Sequence, residues 1–219
     1  MSSDKPNINR DNTKQVFDSK YIKVFDFQYE EGRHYYDATR RDKDDLVVFK
    51  SDEEFKNMLP DAVTCIIVIT GKAVDEPKLL LTYEFRYPAG QFLLCPTAGI
   101  MDPSDKEAAE PLFETAKREI REETGITITD NCKFSVVSPL LFSTPGMTDE
   151  SNAIVLCEIE LDDLSQLSTD NSEDSEHFNG FELYSKEEAR KILLDGRDKN
   201  GRFYSVYTWI ALSWFVMNW

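Results

Sequence analysis

Residues 110–126 read EPLFETAKREIREETGI and predict one amphipathic helix from about Pro111 to Thr124, with Gly125 as its C-terminal cap. Glu122 and Glu123 follow Glu119 by three and four residues, so a helix places the three carboxylates on one side. The opposite face would pack on a sheet through an apolar stripe made of Leu112, Ala116 and Ile120. The stretch therefore predicts carboxylates held on a rigid support.

The three carboxylates indicate a metal site. Like charges at this spacing weaken an isolated helix by a few tenths of a kcal/mol per pair, roughly, so a cation would offset their repulsion. Mg²⁺ and Mn²⁺ bind carboxylate and phosphate oxygens together. R-E-x-x-E-E alone is typical of a solvated acidic helix, but the full spacing E-x7-R-E-I-x-E-E-x-G-I favours an ion site.

This stretch resembles the Nudix box, G-x5-E-x7-R-E-U-x-E-E-x-G-U, in which U is aliphatic. The match runs from Glu110 to Ile126 without a gap and departs only at the leading glycine. Ser104 stands six residues before Glu110, and the nearest glycine, Gly99, comes five residues earlier than the pattern requires. We therefore predict that residues 101–109 form a loop about five residues longer than is usual in the family.

Three further segments are similar to the ADP-ribose and nucleoside-diphosphate-sugar pyrophosphatase subgroup. EFRYPAG, residues 84–90, resembles Q-F-R-x-P, with Glu84 in place of the glutamine. LCPTAGI, residues 94–100, resembles L-E-x-P-A-G-L, with the Cys-Pro-Thr text varied. STPGMTDE, residues 143–150, is similar to the loop S-P-G-x-x-x-E.

The resemblance implies an α+β fold, a Nudix-type α/β/α sandwich with a mixed sheet and a small N-terminal antiparallel β unit. It also implies Mg²⁺-dependent, or Mn²⁺-dependent, hydrolysis of ADP-ribose or a similar nucleoside diphosphate sugar. The products would be a nucleoside monophosphate and a sugar phosphate. The metal ligands would be Glu119, Glu122 and Glu123 with the Ala98 carbonyl.

The other roles are also implied by the resemblance. Arg118 would orient a catalytic glutamate, and Glu110 would be an auxiliary ligand. Glu150 would be the general base, with Glu176 as the second candidate, although either could be an ordinary loop carboxylate. The substrate would be bound by Arg86, Gly99, Tyr36 and Arg41. For Tyr36 and Arg41, the alternatives to clamping a base are cross-strand packing and solvent exposure.

Composition narrows the class of protein. The 219 residues carry a formal charge of -16, which disfavours partners such as nucleic acids and anionic membranes. No C-x-x-C occurs, so a zinc site or a redox pair is not expected. The N-terminus has no secretory signal pattern, and residues 204–219 are too short to span a bilayer. We therefore expect a cytoplasmic protein with buried thiols in a reducing compartment.

Along the chain we expect a mobile tail over 1–19, a β unit over 20–60 and the hydrolase domain over 61–219. The β unit would bury little by itself, so it is expected to form a homodimer contact or to pack on the domain. Capping boxes at Ser51 and Ser185 predict two helix starts. The predicted strands are 21–29, 34–41, 45–49, 62–70, 78–86, 92–100, 133–143, 152–161 and 180–185. Residues 162–177 would form a flexible acidic loop, and 204–219 a final helix.

Two alternatives remain at this stage. The same box serves hydrolases of nucleoside triphosphates, dinucleoside polyphosphates and coenzyme A. The second alternative is a non-catalytic protein that binds nucleotide sugars. The presence of all the glutamates of the box argues against it. A DNA-binding regulator is not expected, since no basic segment accompanies the box.

Overall fold

A computed structural model describes residues 5–172 and 176–219. The chain divides into two compact units. The first contains the chain up to Asp61 together with Leu140–Asn152. The second contains Ala62–Pro139 and Ala153–Trp219.

The first unit contains a three-stranded antiparallel sheet. Its strands, in order, are β1 (Thr13–Asp18), β2 (Lys23–Glu30) and β3 (Arg33–Thr39). Phe25 and Phe27 of β2 pack with Leu46 to form a small core. A capping box at Ser51 then begins helix α1 (Asp52–Asn57), as predicted.

Two predictions for this unit were wrong. The segment expected to be part of a mobile tail contains β1, and only Thr13 of that strand is buried, so no hydrophobic alternation marks it. Residues 1–4 of the tail lie outside the described residues. Residues 45–49 form short 3₁₀ turns instead of a strand. There, the Val47 N–H donates to the carboxylate of Asp149, which uses a group that a strand would need for pairing.

The second unit is built on a mixed sheet with the strand order β10-β5-β4-β9-β8. β6 pairs with β5, and β7 pairs with β4. The strands are β4 (Ala62–Thr70), β5 (Lys78–Arg86), β6 (Gln91–Cys95), β7 (Ala98–Ile100), β8 (Cys132–Phe142), β9 (Ser151–Glu160) and β10 (Phe178–Tyr184). The predicted bounds of β4 and β5 are confirmed.

Helices cover both faces of this sheet. The helices after α1 are α2 (Pro103–Lys106), α3 (Pro111–Thr124), α4 (Lys186–Asp195) and α5 (Val206–Asn218). On β4, Cys65 and Ile67 pack in the core beneath α3, whereas Ile66 and Val68 pack with α4 and α5. The continuous apolar run of β4 is thus buried on both faces, and the predicted α/β/α sandwich is confirmed.

The segment predicted as one strand over 92–100 is two strands. The break falls at Pro96 and Thr97, where proline has no N–H for a ladder, and the Thr97 carbonyl accepts from Cys65 of β4 at 2.8 Å. The chain thus leaves the edge of β5 and joins β4 at β7. The strand β7 leads directly into the predicted long loop, within which α2 is an unpredicted helical turn.

The acidic segment after β9 contains turns and bends as far as residue 172, and residues 173–175 of the predicted loop lie outside the described residues. Within the described ranges, no helix combines the length and the apolar character needed to cross a lipid bilayer.

Candidate active site

The Glu119 carboxylate of helix α3 occupies the space in which a larger residue at position 99 of strand β7 would place its Cβ. A Cβ built at Gly99 would fall inside van der Waals contact with all three carboxylate atoms of Glu119. Glu119 is buried, with 6% of its surface exposed. Gly99 therefore allows the Glu119 carboxylate to lie directly against the backbone.

Glu123 lies one turn further along α3 and is buried more deeply, at 2% exposed. Its Oε1 accepts from the Ala98 N–H at 3.4 Å. The helix ends directly afterwards, because Gly125 adopts a left-handed conformation with φ 74° and its N–H bonds to the Arg121 carbonyl. Two successive residues of β7 thus contact two carboxylates of α3.

Arg118 links these carboxylates to the long loop. Its Nη1 lies 2.7 Å from Glu119 Oε1 and 3.0 Å from Glu122 Oε2. Its Nε and Nη2 donate to Asp105 Oδ2 at 3.2 and 3.0 Å, and Nη2 also donates to the Ile100 carbonyl at 2.7 Å. The predicted role of Arg118, orienting a glutamate, is consistent with these contacts.

Asp105, which the sequence pattern did not single out, is a buried carboxylate that contacts Arg118. It belongs to the capping box with which Asp102 begins α2. Its Oδ2 also accepts from the Thr115 hydroxyl of α3 at 3.1 Å. The signal in the sequence was Asp-Pro-Ser-Asp, residues 102–105, in which a capping residue precedes proline at the first helical position.

Burial and neighbouring carboxylates raise the pKa values of Glu119 and Glu123. Burial, and secondarily the charges of Glu122 and Glu176, raise the pKa of Glu119 to about 7, against the opposing effect of Arg118. Burial, then Glu84, Glu119 and Glu176, raise the pKa of Glu123 well above its usual range. A divalent cation would relieve this repulsion, so the chemistry of these donors, hard carboxylate oxygens, fits the implied metal.

The oxygens are not, however, gathered around one point. Over residues 5–172 and 176–219, no three His, Cys, Asp or Glu side chains are arranged to hold an ion. Arg118 Nη1 lies against one oxygen of Glu119 and one of Glu122. Glu122 is also the least buried of the three, with 27% of its side chain exposed.

Strand β5 adds a charged pair to the same region. Arg86 Nη2 lies 2.7 Å from Glu84 Oε2, and the Glu84 side chain is only 14% exposed. Burial raises the pKa of Glu84, and Arg86 opposes this effect. Arg86, predicted to contact the substrate, is thus paired with the carboxylate that replaces the subgroup's glutamine.

A family model of the NUDIX domain matches residues 58–206, more than half of the chain. The chain belongs to the Nudix family.

Related Nudix proteins match shorter parts of the chain. An uncharacterized Nudix hydrolase of Schizosaccharomyces pombe is 32% identical over 102 residues, 46% of this chain and 42% of that protein. A putative Nudix hydrolase of Caenorhabditis elegans is 33% identical over 84 residues, 38% of this chain and 34% of that protein. The chain thus matches less than half the length of each. A solved ADP compounds hydrolase shares the fold, with a TM-score of 0.63 at 20% identity over 100% of this chain and 96% of that one.

The two residues predicted as candidates for a general base lie in different units. Glu176 belongs to the second unit, where its charge acts on Glu84, Glu119 and Glu123. Glu150 belongs to the first unit, where it lies 3.7 Å from Arg40 Nη2 and lines a cavity of about 220 Å³. Glu110, predicted to be an auxiliary ligand, is exposed at the residue before α3.

Tyr36 and Arg41, predicted to bind the base, differ in how much they are held. Arg41 pairs with Asp61 through two nitrogens, of which Nη2 donates at 2.8 Å, and its Nε lies 3.2 Å from Asp149. Its side chain is only 16% exposed, so the alternative of an exposed Arg41 is wrong. Tyr36 is 55% exposed and stacks on His34, which leaves its role in binding a base as a prediction.

Asp37 gives the Nudix chain a pH-dependent stability that Asp37→Asn should remove. Burial, and then the charge of Asp149, raise the pKa of Asp37 to about 7. The folded state therefore keeps a proton that the unfolded chain loses near pH 4, and the free energy of unfolding falls as pH rises from about 4 to about 7. Asparagine does not ionise, so the variant does not lose this stability. The difference in the free energy of unfolding between the variant and the unsubstituted protein should therefore grow from about pH 4 to about pH 7 and stay constant above it.

Thermal unfolding at pH 5 and pH 8 measures this effect. We expect the melting temperature of Asp37→Asn, relative to that of the unsubstituted protein, to be higher at pH 8 than at pH 5. Each kcal/mol of stability corresponds to about 2–4 °C. Asp11→Asn, at an exposed position of the same unit, is the control. Equal differences from the unsubstituted protein at both pH values would contradict the assignment.

Proposed function

We propose that this Nudix protein is a Mg²⁺-dependent hydrolase that cleaves the diphosphate of ADP-ribose or a similar nucleoside diphosphate sugar. Mn²⁺ would substitute for Mg²⁺. The products are a nucleoside monophosphate and a sugar phosphate. The name of the structural neighbour, an ADP compounds hydrolase, makes ADP-containing diphosphates the first substrates to test.

One observation carries the proposal, the approach of the Glu119 carboxylate to the backbone at Gly99. Moving an ionised carboxylate from water into a protein interior costs on the order of several kcal/mol of free energy unless a cation compensates its charge. Glu119 shares the Nη1 of Arg118 with Glu122. Glu123 accepts only a long hydrogen bond from the Ala98 N–H. A bound cation would offset the free energy that burying these two carboxylates costs, which supports a role in binding a cation.

The chain's own residues would then act as follows. Glu119, Glu122 and Glu123, with the Ala98 carbonyl, would hold the ion, and Arg118 would fix the direction of their carboxylates. A bound divalent cation supplies charge neutralisation at the phosphate oxygens and lowers the pKa of a water molecule. Arg86 would contact a phosphate, and Gly99 would leave room for the Glu119 carboxylate at the backbone.

A general base would accept the proton of the attacking water, and the choice between Glu150 and Glu176 can be tested. A general base contributes about 10²–10⁴-fold to the rate, so glutamine at the base should lower kcat by at least roughly 100-fold. The other substitution should cost less than roughly 10-fold. The acidic limb of the kcat–pH profile should disappear only in the variant that lacks the base. Near-native rates and profiles in both variants would exclude both residues.

The substrate is tested by incubating the protein with ADP-ribose and Mg²⁺ in water enriched in oxygen-18. We expect AMP and ribose 5-phosphate, with the heavy oxygen in only one of them, and no products in the presence of a chelator. Bound but intact ADP-ribose would instead support the non-catalytic binding protein. Hydrolysis of only nucleoside triphosphates, dinucleoside polyphosphates or coenzyme A in a parallel panel would overturn the choice of substrate.

We also propose that the protein acts as a homodimer in the cytoplasm, without nucleic acid or membrane partners. Two features of the first unit support the dimer. Its core is small, and its strands β1 and β3 expose the aromatic side chains of Phe17, Tyr35 and Tyr36, which a second copy could cover. Light scattering at several protein concentrations tests this state. A constant mass equal to one chain would overturn it.

A further inference from the structure

Glu84, Arg86 and Cys95 lie on one face of the strand pair β5–β6 in the second unit. The antiparallel register places Cys95 opposite Thr82 and Leu93 opposite Glu84. Residues directly opposite each other, and alternate residues of one strand, point to the same face of a sheet. A carboxylate at position 84 and a side chain at position 95 therefore approach Arg86 from neighbouring strands on the same side.

Glu84 supplies Arg86 with a counter-charge, whereas Cys95 does not. Arg86 Nη2 lies 2.7 Å from Glu84 Oε2, and the Glu84 side chain is only 14% exposed. Burial lowers the pKa of Arg86, but the neighbouring Cys95 and Glu84 outweigh this effect and raise that pKa. Burial raises the pKa of the Cys95 thiol to about 11, against the opposing effect of Arg86. The thiol is therefore neutral at pH 7.

The carboxylate beside Arg86 stands on a different strand from the one that the subgroup's patterns give. In Q-F-R-x-P and L-E-x-P-A-G-L, the positions of Glu84 and Cys95 hold a glutamine and a glutamate. This chain has a glutamate at the first position and a thiol at the second. One carboxylate near the guanidinium is thus kept, but it has moved from β6 to β5.

The contact with Glu84 occupies the buried side of the guanidinium. The Arg86 side chain is 45% exposed, so its other side is accessible to an anion. A guanidinium carries its N–H donors in a rigid planar fork, and fixing one nitrogen therefore fixes the directions of the others. Charge-assisted hydrogen bonds to carboxylates and phosphates are among the strongest in proteins. A buried carboxylate on one side can thus hold the exposed side in the orientation that a phosphate needs.

We propose that Glu84 is a positioning residue that orients Arg86 towards a phosphate of the substrate, and that a carboxylate at position 95 can replace it. This inference rests on the proposed function, in which Arg86 contacts a phosphate. Glu84 acts through Arg86 and does not touch the substrate, because two anions in contact would repel each other. The glutamate at position 84 thereby compensates for the missing acid at position 95.

The test is the steady-state hydrolysis of ADP-ribose by Glu84→Gln at saturating Mg²⁺. We expect KM to rise by about 10-fold, the size of a weakened charge-assisted hydrogen bond, while kcat stays within roughly 3-fold. The direction of the change is diagnostic. Glutamine removes a negative charge near the phosphates, which by itself would strengthen substrate binding and lower KM. A higher KM therefore reports the orientation of Arg86.

Glu182→Gln is the matched control. Glu182 lies on β10 of the same sheet, pairs with Lys199, and is also partly buried, with 21% of its side chain exposed. It lies opposite Leu81 of β5, which packs on the other face of the sheet with α4 and α5. This substitution can lower the melting temperature, but KM should change by less than roughly 3-fold.

Moving the carboxylate back to β6 tests the second part of the proposal. Added to Glu84→Gln, the substitution Cys95→Glu should return KM to within roughly 3-fold of the unsubstituted protein. Cys95→Asp is the smaller alternative, since position 95 is buried and a longer side chain can overpack it. Cys95→Ser in the same background adds no charge and should leave KM raised. A loss of packing would not distinguish the acids from serine in this way.

The outcomes are distinct. If the unsubstituted protein does not hydrolyse ADP-ribose, the proposed function fails and this inference fails with it. If it does, an equal or lower KM in Glu84→Gln overturns only the inference. A raised KM that no folded variant with an acid at position 95 lowers also overturns it. If neither acid at position 95 allows folding, the comparison of Glu84→Gln with Glu182→Gln decides.

Discussion

Glu123→Gln is expected to lower kcat by at least roughly 100-fold while the protein remains folded. The substitution keeps the shape of the side chain and its contact with the Ala98 N–H, but it removes a charge that would bind the ion. Loss of a preorganised electrostatic contact at the reacting group typically costs about 10²–10³-fold in rate. Steady-state hydrolysis of ADP-ribose at saturating Mg²⁺, with Mn²⁺ binding measured in parallel, checks the result.

Stability should change in the opposite direction. The pKa of Glu123 is raised by burial and by Glu84, so the folded state loses stability as pH rises from the usual pKa of a glutamate towards that raised value. Glutamine cannot ionise, and the metal-free variant should therefore melt at the same temperature or higher at pH 8. This result would show that the glutamate is retained for function.

Two further variants complete this test. Glu122→Gln should lose activity in the same way, although Glu122 is more exposed. Glu114→Gln is the control, because Glu114 lies on the same helix but pairs with Lys117, away from the three ligands. Near-native rates in both Glu122→Gln and Glu123→Gln would remove the metal-site assignment.

The second large effect is expected from Gly99→Ala. The added Cβ would overlap the Glu119 carboxylate, so either Glu119 must leave its place or β7 must separate from α3. Overpacking of this kind typically costs about 1–3 kcal/mol in stability. Displacing a metal ligand should also lower kcat by at least roughly 100-fold.

Gly196→Ala separates the two consequences. Gly196 ends α4 with φ 64°, and a Cβ there would meet no atom within 4 Å. Alanine at that left-handed position costs about 1 kcal/mol by backbone strain alone. We expect this variant to melt earlier but to keep its turnover. Equal kcat in Gly99→Ala and the unsubstituted protein would mean that Glu119 does not need its observed position.

The sequence predicts the elements whose periodicity is strong. The bounds of β4, β5 and α3 agree with the prediction because an unbroken apolar run, a hairpin partner and a glycine cap each leave a local signal. β1 lacks such a signal, since a single buried threonine does not produce an alternation. The residues around Val47 read as a strand, but a contact with Asp149, 102 positions away in the chain, decides their conformation.

The candidate site divides in the same way. The three glutamates could be identified because their spacing is local to one helix. The anchoring of Arg118 by Asp105 could not, since it depends on how a loop of unusual length folds back on α3. Nor could the sequence show that Arg41 is enclosed by Asp61 and Asp149, which come from distant segments of the first unit.

The break between β6 and β7 makes the chain unequally tolerant of insertions and deletions. One residue added at Pro96 or Thr97 would shift β7 by one position along β4, and a residue with a side chain would then face Glu119 in place of Gly99. Residues added after Met101 would leave the pairing of β7 with β4 unchanged, because that pairing ends at Ile100. Homologous chains can therefore differ in length after β7, whereas the two-residue link before it must stay constant.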